Sequence, residues 1–228
     1  MSQDFIVGTF VREEKNRFLC TVNVEGIDEE CYIPSSCRLG NFLELAGKRV
    51  LLRENKKGNS RTRYAVYAIN FKQNYMVLRT AEANDIIRRS ISSRRFAYLG
   101  NRKIVEKESI VDGYKADLFL PETATVIEIK SIISTRNEAV FPTVFSERAL
   151  EQFCKLKELL TKGYKVVYIY VSLNPYVKQV KLSTDKHLLE YKKMFCECME
   201  LGMCCKAYAA EMKNGETLIK KEIEIVID

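Results

Sequence analysis

The hydrophobic positions of this chain change their period near residue 80. Before it, short alternating runs rich in Val, Tyr and Phe recur at residues 5–11, 18–24, 30–33, 48–53 and 64–70. Gly26, Pro34-Ser35-Ser36 and residues 56–60 separate them, as turn residues separate strands. Five such strands within roughly 70 residues predict a small closed barrel of the OB type, with 41–46 as a short helical turn. After residue 80 the spacing becomes helical, first at Ala83, Ile86, Ile87 and Ile91. Residues 147–162 place Leu150, Phe153, Leu156, Leu159 and Leu160 on one face, with Ser146 as N-cap and Gly163 at the end. The run K-V-V-Y-I-Y-V-S at 165–172 is apolar throughout, which predicts a central strand covered on both faces. A second amphipathic helix over 187–201 ends at Gly202 before a strand over 205–210. Strand, helix, strand, helix, strand describes a mixed α/β (α+β) domain with right-handed crossovers. The expected division is 1–80 and 81–228, with residues 76–79 as a further strand at the junction.

Within the second domain, E-S-I-V-D-G-Y-K-A-D-L-F-L-P-E-T-A-T-V-I-E-I-K (108–130) carries the candidate chemistry. Two apolar runs, 117–120 and 125–129, flank the turn-prone Pro121-Glu122-Thr123, and β-branched enrichment favours a hairpin. Side chains alternate along a strand, so Val126, Glu128 and Lys130 share one face and Ile127 and Ile129 the other. Pairing the two runs brings Asp117 beside Glu128 or Lys130, and Glu108 can add a third carboxylate. Asp-x10-Glu-x-Lys on a hairpin is the pattern of metal-dependent nucleases of the P-D-(D/E)-x-K type. Phosphodiester hydrolysis requires hard oxygen ligands for Mg²⁺ or Mn²⁺, an activated water, and positive charge where the phosphate gains negative charge. Acid-x-Lys on a strand is also a common solvated ion pair, so the pattern gains weight only from its surroundings.

Charge supplies some of those surroundings. The 228 residues hold 37 Lys+Arg against 30 Asp+Glu, a net +7, which suits a polyanionic partner without requiring one. Local clusters are more informative. Arg12, Lys15 and Arg17 adjoin Phe10 and Phe18, and Arg53, Lys56, Lys57, Arg61 and Arg63 surround one loop. Cations that track phosphates beside aromatic rings that stack on bases suit single-stranded nucleic acid. Arg88, Arg89, Arg94, Arg95, Arg102 and Lys103 form the densest basic segment, immediately before the carboxylate stretch. Arg148 stands in the first turn of the 147–162 helix.

At this point the chain resembles the sugar fermentation stimulation protein A family. The resemblance rests on Gly8, Arg12, Asn16, Arg17 and Phe18, on residues 34–40, on Arg61-Thr62-Arg63-Tyr64 and on Asn84. It continues through Glu108, Lys115-Ala116-Asp117, Ile127-Glu128-Ile129-Lys130, Phe141-Pro142, Arg148 and Gly163. It implies an N-terminal OB-like barrel joined to a P-D-(D/E)-x-K nuclease-like domain, DNA binding and nuclease activity. Asp117, Glu128, Lys130 and Glu108 are then the catalytic set, with Glu108, Asp117 and Glu128 as ligands of Mg²⁺ or Mn²⁺. Arg12, Arg17, Phe18, Lys57, Arg61, Arg88 and Arg148 are the nucleic-acid contacts. The chain departs from the family pattern at Tyr114-Lys115 (Ser-Arg in the family), Thr143 (Asp), Ala149 (Gly) and Gln152 (His). The first of these replaces a bidentate guanidinium with a point charge.

The rival reading is a regulatory nucleic-acid-binding module that keeps the fold without turnover. Cys196, Cys198, Cys204 and Cys205 lack paired C-x2-C spacing, which argues against a structural zinc site. His187 is the only histidine, and no phosphate-binding G-x4-G-K-[S/T] loop is present. No apolar run approaches the about 18 residues that span a bilayer. The opening residues lack a basic segment followed by an apolar one, so the expected location is the cytoplasm, with the eight cysteines reduced.

Overall fold

The computed structural model describes residues 5–34, 39–41, 43–55 and 60–227. The first domain contains β1 (Ile6–Glu13), β2 (Leu19–Val24), β3 (Ile27–Tyr32), β4 (Arg49–Glu54), β5 (Tyr64–Phe71) and β6 (Asn74–Val77). They hydrogen-bond in the order β3-β2-β1-β4-β5-β6, and a parallel pairing of β3 with β5 closes the barrel. This is the OB-like barrel that the alternating pattern predicts. Its interior is filled by Phe10, Val22, Ile33, Leu39, Val50, Leu52 and their neighbours. The helical turn falls at Leu39–Asn41 rather than over 41–46. Glu13 explains the shift, because its carboxylate accepts from Leu39 N at 2.9 Å and Gly40 N at 3.1 Å. That bond pins the turn where Leu39 enters the core.

The second domain runs α1 (Glu82–Ser90), β7 (Glu106–Lys107), β8 (Ile110–Val111), β9 (Tyr114–Lys115), β10 (Leu118–Leu120), β11 (Thr125–Ile132) and β12 (Glu138–Phe141). It continues with α2 (Glu147–Thr161), β13 (Lys165–Ser172), β14 (Gln179–Leu182), α3 (Leu189–Glu200), β15 (Cys204–Lys213), β16 (Glu216–Glu222) and β17 (Glu224–Val226). The main sheet has the order β16-β15-β13-β11-β10-β7, with β11, β13 and β15 parallel and the edges antiparallel. A small parallel sheet, β12-β14-β17, lies apart from it. β13 sits at the centre with seven of its eight residues buried, as its unbroken apolar run requires.

The two faces of the main sheet bury different partners. Val126, Val166, Tyr168, Tyr170 and Ala207 pack with Phe153 and Leu156 of α2 and Phe195 of α3. Ile127, Ile129, Val167, Ile169 and Tyr208 pack with Ile86 and Ile87 of α1 and with Leu51, Tyr67 and Val77 of the barrel. The barrel and the α/β domain therefore share one apolar core. Polar bonds cross the same boundary: Val77 N donates to Leu173 O at 3.0 Å, and the Tyr67 and Thr217 hydroxyls are 2.5 Å apart. Among the described residues no helix is long and apolar enough to cross a membrane.

Candidate functional site

The hairpin expected at 117–129 forms as β10 and β11, paired antiparallel with Leu118 opposite Ile127 and Leu120 opposite Thr125. Asp117 precedes β10, so its side chain reaches across to β11, where Oδ2 accepts from Ile129 N at 2.8 Å. Oδ1 accepts from Asn84 Nδ2 of α1 at 2.9 Å, which fixes the carboxylate at both ends. Glu128 and Lys130 project from the opposite face of β11 to Ile127 and Ile129, as strand alternation dictates. Glu128 is 4% exposed. Lys130 Nζ donates to Glu128 Oε1 at 2.8 Å and to Gln152 Oε1 of α2 at 2.6 Å.

Two residues that the motif alone does not name complete the arrangement. Tyr114 OH donates to Glu128 Oε2 at 2.5 Å, and Gln152 Nε2 donates to the Tyr114 oxygen at 2.9 Å. Glu128, Lys130, Gln152 and Tyr114 thus close a ring of hydrogen bonds. The signal for Tyr114 was the Asp112-Gly113 pair, which has φ of 47° and 81° and connects β8 to β9. Asp-Gly is the preferred two-residue connection for strands that must turn with positive φ, and it aims Tyr114 back at the sheet. The only signal for Gln152 in the sequence was its departure from the family pattern, which has His there.

One pocket of about 640 Å³ is lined by Glu108, Asp117, Glu128, Lys130, Arg148 and Gln152. It holds every residue of the expected catalytic set together with Arg148. Their engagement differs. The Glu108 side chain is 66% exposed and paired with Lys115 at 2.6 Å, which holds its carboxyl below the usual range. Burial and the neighbouring charge of Glu128 push the Asp117 carboxyl up to about 6, against the pull of Ile129 N–H, Asn84 and Lys130. Burial and Glu128 also push the Tyr114 phenol upward, so it remains a donor. Among the described residues no group of three or more His, Cys, Asp or Glu converges as a ready-made metal cage.

The expected nucleic-acid contacts are dispersed. Arg17 lies over the Phe18 ring at 4.7 Å, and Phe18 stacks on Tyr32 with centroids 6.4 Å apart on the barrel surface. Arg12 pairs with Glu14 at 3.0 Å and Arg61 with Glu30 at 3.4 Å, all four on the barrel. Lys57 lies outside the described residues. Arg88 is exposed in the last turn of α1, one turn beyond Asn84, and does not line the carboxylate pocket. Around it, Arg89, Arg95 and Arg102 donate to the Thr217, Ile219 and Phe96 carbonyls, so part of this basic segment serves the fold.

An OB-like barrel sharing its core with a mixed α/β domain, whose hairpin presents two acids and a lysine, defines the class. Residues 13–78 match the SfsA N-terminal OB domain, and residues 81–216 match the Sugar fermentation stimulation protein RE domain. The chain belongs to the sugar fermentation stimulation protein family. Similar curated proteins include a Sugar fermentation stimulation protein homolog of Methanobrevibacter smithii, 24% identical over 75% of this chain and 77% of that one. The Pelagibacter ubique homolog is 23% identical over 97% and 96%. Among solved structures, Pyrococcus furiosus SfsA in complex with Ca²⁺ superimposes with a TM-score of 0.82 at 20% identity, covering 98% of this chain and 96% of that one. That likeness establishes a common fold.

Proposed function

We propose that this chain is a divalent-metal-dependent phosphodiesterase acting on nucleic acid, DNA foremost, with Asp117, Glu128 and Lys130 at its centre. The observation that carries the reading is the convergence of two carboxylates and one ammonium from adjacent strands into a single open pocket. Mg²⁺ is held by one or two carboxylates with retained waters rather than by an all-protein cage. Asp117 and Glu128, with the Ile129 carbonyl, fit that donor set. Burial and then the neighbouring charge of Glu128 raise the proton affinity of Asp117, and a divalent cation at this position would offset both. Glu108, at the rim, can add a third carboxylate. The Pyrococcus furiosus relative was solved with Ca²⁺, another oxygen-seeking divalent ion, which supports cation binding in this family.

Mg²⁺ or Mn²⁺ bound here supplies Lewis-acid polarisation of the scissile phosphate and an acidified water. The protein supplies position. Asn84 and Ile129 N hold the Asp117 carboxylate against rotation. Lys130 commits two of its ammonium donors to Glu128 and Gln152, and its third orients the attacking water and meets charge developing on the phosphoryl oxygens. Exposed Arg148, in the first turn of α2, holds a flanking phosphate where the helix dipole also favours an anion.

The rival reading, a binding regulator without turnover, draws on three contacts. Tyr114 and Lys130 engage both oxygens of Glu128, and Lys115 draws Glu108 outward. Incubating plasmid and single-stranded DNA with Mg²⁺ or Mn²⁺, beside Asp117→Ala and Lys130→Ala, separates the readings. Metal-stimulated cleavage lost in both variants supports the hydrolase. Cleavage undiminished in both removes the assignment, and salt-dependent binding with no cleavage favours the regulator.

A further inference from the structure

Four hollows follow one another across the surface, and each shares walls with the next. The first, on the barrel, is lined by Phe18, Tyr32, Asn55 and Arg61. Phe18 and Tyr32 also line the second, with Arg17, Arg79 and Thr80. Thr80 in turn lines the third, a groove of about 310 Å³ walled by Val140, Phe141, Val144, Phe145 and Tyr191. Lys130, Ser131, Ser146 and Ala149 belong both to that groove and to the carboxylate pocket. Adjoining hollows therefore link the stacked Phe18–Tyr32 pair to Asp117 and Glu128.

The composition of the track changes in a way that specifies its occupant. Val144 and Phe145 are 71% and 53% exposed, an unusual placement for large apolar side chains beside a charged pocket. A ligand that covers them while entering the carboxylate pocket needs a flat apolar face and an anionic group within one repeating unit. A nucleotide has both. The base faces of a duplex are already covered by their stacked neighbours, so only an unstacked strand can offer them to Phe145 and Tyr32. Cations line the route as well: Arg17 in the second hollow, Lys130 in the third and fourth, and Arg148 in the carboxylate pocket.

We propose that this track binds a single-stranded polynucleotide, with one base against Phe145 beside the reactive centre and another on Tyr32 of the barrel. The inference rests on the phosphodiesterase reading for its polarity, but it makes a claim that holds without hydrolysis. Fluorescence anisotropy of the full chain in chelator, where no metal-dependent cleavage occurs, measures it directly. The probes are labelled oligothymidylate, labelled oligouridylate and a DNA duplex of equal length. The single strand is expected to bind at least about tenfold tighter than the duplex, and Phe145→Ala and Tyr32→Ala are each expected to weaken it by about tenfold, the loss of one stacked base. Both side chains are surface-exposed, and the two substitutions lie in different domains, so a folding defect in one leaves the other informative. Preference for thymidylate over uridylate, or the reverse, identifies the natural strand. Equal affinity for duplex and single strand, or neither substitution weakening binding, overturns the track. If the track binds as described and the Mg²⁺ assay yields no cleavage, the hydrolase reading fails while this one stands.

Discussion

The Tyr114 hydroxyl donates to Glu128 Oε2 at 2.5 Å, so the β8–β9 hairpin fixes a carboxylate in the middle of β11. Glu128 is 4% exposed, and a buried carboxylate oxygen without a donor carries a desolvation cost. Tyr114→Phe keeps the ring and removes only that donor. In chelator the variant is expected to unfold with about 1–3 kcal/mol less free energy by urea titration. Saturating Mg²⁺ is expected to restore part of the loss, because the cation replaces the missing positive partner. Unchanged stability would mean that the hydroxyl contributes nothing net.

Asp117 makes metal-free stability depend on pH with an identifiable sign. Its carboxyl is raised from an ordinary 3.8 to about 6 in the fold, so the native state binds the proton more tightly than the unfolded chain. Stability contributed by the protonated form is present at low pH and is lost as pH rises from about 4 to about 6. The full shift corresponds to roughly 3 kcal/mol. Asp117→Asn removes the ionisation but leaves one acceptor where two were used, returning about 1 kcal/mol of that. In chelator at pH 8 the variant is expected to be about 1–2 kcal/mol more stable than the parent, with a flatter stability profile between pH 4 and 6. Thermal melts across that window check it. Divalent stabilisation should vanish in the same variant, since the neutral amide cannot replace a carboxylate ligand.

These features were unequally legible in the amino-acid sequence. Alternation alone placed Glu128 and Lys130 on one face of β11 and Ile127 and Ile129 on the other, because the pleat permits no other arrangement. The continuous apolar run of β13 likewise specified a strand covered twice. β16, with the sequence E-T-L-I-K-K-E, gave no such signal: it is an edge strand whose mostly exposed residues satisfy water as well as a sheet. β12, β14 and β17 are only three or four residues long and hold together by pairing with one another. Charge was readable but not its direction. Arg53 counted toward a basic loop, yet its guanidinium lies 3.7 Å over the Tyr67 ring at the domain boundary. Gln152 was visible only as a departure from a pattern, since its role depends on α2 crossing β11 at that turn.

Gly8 is required by space. A Cβ built there would meet Val22 Cγ1 at 2.5 Å and the Asn23 carbonyl at 3.0 Å, where β1 and β2 press together. Val22 is fully buried and cannot swing away without displacing the barrel interior. Gly8→Ala is expected to cost about 1–3 kcal/mol, the penalty of overpacking, measured by chemical denaturation. Gly26, at the β2–β3 turn, has φ of +88° and open space around it, so Gly26→Ala should cost through backbone strain alone. Barrel closure would be expected to suffer only in the first.

The shared core between barrel and α/β domain makes a claim about cooperativity. Leu51, Tyr67 and Val77 pack against Ile86, Ile127, Ile169 and Tyr208, so separating the domains exposes apolar surface on both. Tyr67 also bonds Thr217, whose side chain is 2% exposed, and carries Arg53 on its ring. A boundary this apolar resembles a core rather than a hinge. Calorimetry is therefore expected to give one transition with equal van't Hoff and calorimetric enthalpies. Tyr67→Phe keeps the ring under Arg53 but orphans the Thr217 hydroxyl, at an expected cost of about 1–3 kcal/mol. Because the two domains unfold together, that loss must lower the single transition as a whole. Two resolved transitions, with only one moved by the substitution, would show that the barrel and the α/β domain are independent units.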